Sequence, residues 1–248
     1  MIELNAAALV EGPRVRRPPV APLTPADARV LLEAVVGDRL EGLYVLALGV
    51  GLRQGEALGL QWDDIDLDRA QVHVRHALQR VKGVLRHVDL KTDASRRLLA
   101  LPPTLVEAML RHRERQQSER EAAATSWRST GFVFTTVRGE PLDGTAVTHS
   151  FQRLLRRAGL PRMRFYDLRH GCASLLLAEG VHPRVVMETL GHSGIGLTMN
   201  TYSHVSAALQ REAANRIDGV FRPAGSETKT VVETVVSGRG RAARDDRF

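Results

Sequence analysis

From Ala70 the hydrophobic period of this 248-residue chain changes from helical to two. Val72 and Val74 alternate with His73 and Arg75, Val84, His87 and Val88 follow a turn containing Gly83, and a third short apolar run covers Arg97 to Leu101. Alternation at period two marks half-buried strands. It predicts a small three-stranded antiparallel sheet over about 70–101. The flanks read as helices. Thr24-Pro25-Ala26-Asp27 is a helix start, with a capping Thr, a Pro suited to the first turn and an Asp at the positive end of the dipole. Leu31, Leu32, Val35 and Val36 supply that helix's apolar face, and a second helix over about 39–50 ends near Gly49 and Gly51. A long, charge-laced helix follows from Pro103 to about Ala124, then helices at about 144–158, 167–180, 183–190 and 205–217. The fold class is therefore α+β, mainly helical, with one small sheet.

Residues 1–22 read as a linker, because Pro13, Pro18, Pro19 and Pro22 break any helix and Arg14, Arg16 and Arg17 add charge. Residues 23–221 form the folded domain. Residues 222–248 are rich in Gly, Ser, Thr and charge and are expected to be a flexible tail. Within it, Val231, Val232, Val235 and Val236 could form a short strand or a partner-binding segment. No internal repeat is visible.

Composition excludes several classes. The longest apolar run, Leu43 to Leu52, has ten residues. A membrane span needs about 20, so a soluble chain is expected. The N-terminus carries no signal peptide pattern. A single cysteine, Cys172, leaves neither an internal disulfide framework nor a Cys-based zinc site. These features fit a cytoplasmic address. The formal net charge is +7, which favours a polyanionic partner, with nucleic acid the default. Thirty-two of the 35 basic residues are Arg, and the three lysines are Lys82, Lys91 and Lys229. Genomic base composition explains such a bias. It still matters chemically, because Arg is never deprotonated and any proton-donating cation must be a Lys or a His.

Four separated segments hold chemically interesting residues. In Gly51-Leu52-Arg53-Gln54-Gly55-Glu56, Arg53 opens a short helix whose N–H groups and dipole suit a phosphate, and Glu56 could brace its guanidinium. In Leu90-Lys91-Thr92-Asp93-Ala94-Ser95-Arg96-Arg97, Lys91 falls at the turn between the second and third predicted strands. In Arg164-Phe165-Tyr166-Asp167-Leu168-Arg169-His170, Tyr166 and Arg169 share a face at a helix start, whereas His170 points elsewhere and suits packing or hydrogen bonding. The fourth is Leu190-Gly191-His192-Ser193, followed by Thr198 to Val205 with Tyr202. Each segment alone has a bland reading: a capping Arg, a solvated Lys, a helix-end His, a core Tyr. Tyr44, the third tyrosine, lies in an apolar helix and is expected to be buried. His73 and His76 fall on opposite faces of a strand, which discounts a metal pair.

Together the segments resemble the catalytic domain of the tyrosine recombinases, or phage-type integrases. The family pattern is an early Arg, a hairpin Lys, a His-x-x-Arg box, a Leu-Gly-His box and a late nucleophilic Tyr. Arg53, Lys91, Tyr166 with Arg169, Leu190-Gly191-His192 and Tyr202 occupy those places in that order. The flanks also match: Gly-Leu-Arg-x-Gly-Glu, Asp-Leu-Arg-His and Asn-Thr-Tyr-Ser-His. The resemblance covers about residues 24–218. One departure is Tyr166, where the family usually has His or Lys. A phenol can donate to a phosphate oxygen, but its ordinary pKa of about 10 makes it a poorer base near neutrality.

The resemblance implies phosphoryl transfer at a DNA phosphodiester, without metal or cofactor. Tyr202 is the nucleophile that leaves a 3′-phosphotyrosine link, and Arg53 and Arg169 hold the non-bridging oxygens. His192 adds a hydrogen bond, Lys91 protonates the leaving 5′ oxygen, Tyr166 contacts the phosphate and Glu56 supports Arg53. It also implies double-stranded DNA attachment sites as substrate, a tetramer on DNA, and accessory DNA-bending or directionality proteins as further partners. The resemblance further implies a core-binding domain ahead of the linker, and the protein is expected to be cytoplasmic and DNA-associated at the nucleoid, with no membrane role. Two other readings stay open. One is a catalytically impaired integrase fragment that only binds DNA; the other is an ordinary helical DNA-binding regulator. Neither regulator chemistry nor simple binding requires Tyr202 or Lys91.

Overall fold

The computed structural model describes residues 23–90 and 95–191. The linker at 1–22, the helix expected at 205–217 and the tail at 222–248 lie outside the described residues, as do Lys91, His192 and Tyr202.

Seven α-helices, two short 3-10 helices and five strands are formed among the described residues. Helix α1 (Pro25–Val35) begins as its sequence dictates: Thr24 Oγ1 accepts the Asp27 N–H, and the Asp27 carboxylate returns the bond to the Thr24 N–H. It buries Ala28, Leu31 and Val35, one helical stripe. Helix α2 (Glu41–Gly49) is apolar all round and is buried along Leu43–Leu48, so it is the central rod of the core. Helix α4 (Pro103–Ala123) packs closely on it. A Cβ on Gly49 would stand 2.7 Å from Leu105 Cδ2, and one on Gly42 would stand 3.2 Å from Met109 Sδ. Glu41 is buried at the start of α2 and keeps its charge compensated through Arg111, whose Nη2 donates to it at 2.6 Å. No helix among the described residues is long and apolar enough to cross a membrane.

The three-stranded antiparallel sheet is present, with a membership the alternation does not reveal. Its order is β1 (Ile65–Asp66), β2 (Gln71–Val74), β5 (Arg97–Ala100), in the register Ile65↔Val72, Val72↔Leu99 and Val74↔Arg97. The predicted middle strand instead pairs with residues 76–81. Strands β3 (His76–Val81) and β4 (Val84–Asp89) form a separate two-stranded ribbon. Its turn, Lys82-Gly83, has φ of 49° and 82°, the double positive φ of a tight hairpin. The chain leaves the sheet at Arg75, whose side chain is held by Asp64 while its carbonyl accepts the Leu90 N–H. Consequently the connection from β4 to β5 is not a hairpin turn between paired strands. It is the passage from the ribbon back to the sheet. His73 and His76 lie on different strands, β2 and β3, rather than on opposite faces of one strand.

Helices α3 (Gln54–Leu58), α5 (Gly144–Arg157), α6 (Asp167–Ala178) and α7 (Pro183–Leu190) complete the domain. Helix α6 packs on α2 through Leu168, which is fully buried, and on α7 through Cys172, Ala173, Val186 and Leu190. Leu175 packs against the main core, whereas Leu176 and Leu177 pack against the α6–α7 cluster.

Candidate active site

Arg53 is the N-cap residue of α3, in extended backbone conformation. Two residues earlier, Gly51 has φ of 65°, and a Cβ there would lie 2.3 Å from Leu190 Cδ2 and 3.3 Å from Cys172 Sγ. Only glycine satisfies both the left-handed turn and the contact with α6 and α7. This turn points the Arg53 side chain at the end of α7. Its Nη1 donates to Glu56 Oε1 at 2.5 Å and its Nη2 to the Gly191 carbonyl at 3.2 Å. Glu56, three residues on, also accepts the Arg53 backbone N–H at 3.0 Å.

Glu56 is 1% exposed and carries a second cation. Arg97, on β5, donates from Nη2 to Glu56 Oε2 at 2.9 Å, from Nε to the Thr189 carbonyl at 2.7 Å and from Nη1 to the Ser95 carbonyl at 3.1 Å. Burial opposes the charge on Glu56, but Arg97 and then Arg53 outweigh it and hold the carboxyl below its ordinary range.

Arg169, on the first turn of α6, is 1% exposed. Its Nη1 donates to the Gly51 carbonyl at 2.7 Å. Among the described residues its Nε and Nη2 are buried without a hydrogen-bond partner. Burial first, then the like charge of Arg53, lowers its pKa to about 10. It is still cationic at neutral pH. Three guanidiniums, those of Arg53, Arg97 and Arg169, thus lie around one buried carboxylate, which bonds Arg53 and Arg97 and acts on Arg169 only through space. The excess is positive, and two buried guanidinium nitrogens have no acceptor among the described residues. An anion with several oxygens fits that arrangement.

The structure brings Arg53, Glu56 and Arg169 together. Tyr166 sits one turn before Arg169, immediately ahead of α6, and is 39% exposed. Its ring meets His170 edge-on, with centroids 4.9 Å apart. His170 is half-buried, and burial lowers its pKa ahead of any charge effect. Tyr44 packs against Phe151 at 5.4 Å, and burial pushes its hydroxyl well above its ordinary range, which removes it as a nucleophile. Gly191 ends α7 in the left-handed conformation, as a helix-terminating glycine does, and the next residue is His192. Arg97 was not among the residues singled out from the sequence. The signal was available: Arg97 precedes Leu99 by two in a strand, so the inward register holds a charge where an apolar residue belongs. Among the described residues no group of three His, Cys, Asp or Glu side chains is placed to hold a metal ion.

Residues 23–208 match the family model described as the phage integrase family. A tyrosine recombinase XerC-like protein of Caldanaerobacter subterraneus subsp. tengcongensis is 34% identical over 207 residues, covering 79% of this chain and 53% of the relative. An integrase of Streptomyces ambofaciens is 34% identical over 215 residues, covering 82% of this chain and 54% of the relative. The chain spans about half the length of these relatives. Among solved structures, the Tn1549 transposon integrase in complex with circular intermediate DNA superposes with a TM-score of 0.68 at 25% identity, over 87% of this chain and 72% of that one. The XerA recombinase superposes with a TM-score of 0.61 at 21% identity, over 82% and 66%.

Proposed function

Because the chain belongs to the phage integrase family, we propose that it cleaves and rejoins DNA strands as the catalytic domain of a site-specific tyrosine recombinase. The observation that carries this reading is Arg169, a buried guanidinium with two nitrogens unpartnered among the described residues, beside the clamped Arg53. The proposed ligand is a phosphodiester of double-stranded DNA at an attachment site.

Arg53 and Arg169 grip the two non-bridging oxygens, and their planar forks match phosphate. Both offset the charge that builds in the transition state, and preorganised donors of this kind are each worth about 3–4 kcal/mol of barrier. Glu56 holds Arg53 in place. Tyr202 gives its phenolic proton to solvent water and attacks phosphorus. The P–O5′ bond breaks, Lys91 gives the leaving oxygen a proton, and a 3′-phosphotyrosine link remains. A 5′ hydroxyl from another strand then reverses the step, so the bond energy is conserved and no nucleotide cofactor is consumed. His192 donates a further hydrogen bond to the phosphate, and the half-exposed Tyr166 hydroxyl contacts it from the solvent side. The catalytic domain is residues 23–221, with a linker at 1–22 and a tail at 222–248. On DNA the protein acts as a tetramer with accessory bending or directionality proteins, at the nucleoid.

Covalent trapping tests the reading. The chain is incubated with a pool of nicked suicide duplexes of randomised sequence and resolved on a denaturing gel. A DNA-linked band that disappears in Tyr202→Phe, while that variant still binds duplex DNA, is the expected result. A band that persists in Tyr202→Phe removes Tyr202 as nucleophile, and binding with no band in the parent chain reduces the protein to a DNA-binding module.

A further inference from the structure

We propose that Arg97 is a positioning residue that ties Ser95, ahead of β5, and the end of α7 to Glu56, the carboxylate that clamps Arg53. The inference rests on the strand-cleavage reading above. Arg97 occupies an inward register of β5, opposite Val74, and is 9% exposed. Each of its three nitrogens bonds a different part of the chain: Nη2 the Glu56 carboxylate of α3, Nε the Thr189 carbonyl in the last turn of α7, and Nη1 the Ser95 carbonyl ahead of β5. Ser95 follows Lys91 by four residues, and Thr189 precedes His192 by three. One rigid guanidinium therefore fixes a point four residues after the proposed proton donor and a point three residues before the proposed imidazole, and through Glu56 it also reaches Arg53.

Stability alone does not call for this geometry. An ion pair with Glu56 would need one nitrogen, and a lysine could supply it. Three bonds in fixed directions need the planar fork. The carbonyl of Thr189 is one of the four that every helix C-terminus leaves without an internal partner, so the α7 end is tied to β5 by this bond. A Lys91 ammonium must come within hydrogen-bond reach of the leaving oxygen, and a shift of 1 Å at such a group costs on the order of 100-fold in rate.

Arg97→Lys preserves the charge beside Glu56 and removes the fork. The first measurement is backbone hydrogen–deuterium exchange of the parent and variant chains without DNA. Faster exchange at 90–96 and 189–192, with β2 and α4 unchanged, is expected; equal exchange at both segments overturns the assignment. The second uses the duplex recovered by covalent trapping. Single-turnover cleavage is expected to fall by about 10- to 100-fold with DNA affinity within about threefold of the parent. The loss should shrink when the bridging 5′ oxygen is replaced by sulfur, because the P–S bond breaks to a thiolate that leaves without a proton. It should also add little to Lys91→Ala in the double variant. A defect that sulfur does not relieve, or that multiplies with Lys91→Ala, overturns the role. If the parent chain forms no adduct, the recombinase reading falls, and the exchange comparison still decides whether Arg97 orders the two segments.

Discussion

Arg169 holds an arrangement that folding by itself disfavours. It is buried, cationic and bonded through Nη1 alone among the described residues, with Arg53 adding like charge. A buried charge with unmet N–H groups costs stability, and sites shaped for a ligand commonly retain such a cost. Arg169→Met keeps the length of the side chain and removes the charge. It is expected to leave the free energy of unfolding within about 1 kcal/mol of the parent or to raise it, since the lost bond to the Gly51 carbonyl is worth about 1 kcal/mol and the relieved desolvation at least as much. Covalent adduct formation by the same variant should fall by at least about 100-fold. Urea unfolding and the trapping gel read the two effects separately. A variant that unfolds readily and still cleaves would assign Arg169 to the core instead of the phosphate.

The turn before α3 joins packing to chemistry. Leu190 of α7 presses on Gly51, whose carbonyl accepts from Arg169, and Arg53 follows two residues later. Gly51→Ala forces a Cβ into Leu190 and leaves alanine in the left-handed region. The two effects together are expected to cost about 2–4 kcal/mol. A lower urea midpoint at unchanged slope checks it, and a midpoint equal to the parent's would mean that α7 yields freely. The helices themselves are legible from local signals. The Thr24 cap, the Pro103 start and the Gly191 stop all act within a few residues, so predicted and observed limits agree closely for α4 and α7, and for the start of α1. Strand pairing is not local. Alternation tells which face of β2 is buried, and says nothing of whether β4 or β5 lies beside it, so the ribbon at 76–89 is a product of tertiary structure.

Over the whole molecule the formal charge of +7 predicts electrostatic attachment to DNA. A protein that makes 6–10 phosphate contacts loses about 10³–10⁵ in affinity between 50 and 200 mM salt. This chain is expected at the lower end of that range, by fluorescence anisotropy on a labelled duplex, and a salt-independent affinity would refute phosphate-led binding. The order of Arg53, Lys91, Arg169, His192 and Tyr202 is a property of the sequence, as are the helical composition, the charge and the presence of a small sheet. Each follows from residue type and short-range spacing, which need no knowledge of distant neighbours. Only the tertiary structure decided that Arg53 and Arg169 converge across residues more than a hundred apart. It also decided that Glu56 is shared by two cations, and that Arg97 ties three elements together. Burial and hydrogen-bond partners are set by what packs against a residue from elsewhere in the chain, and no local pattern encodes that.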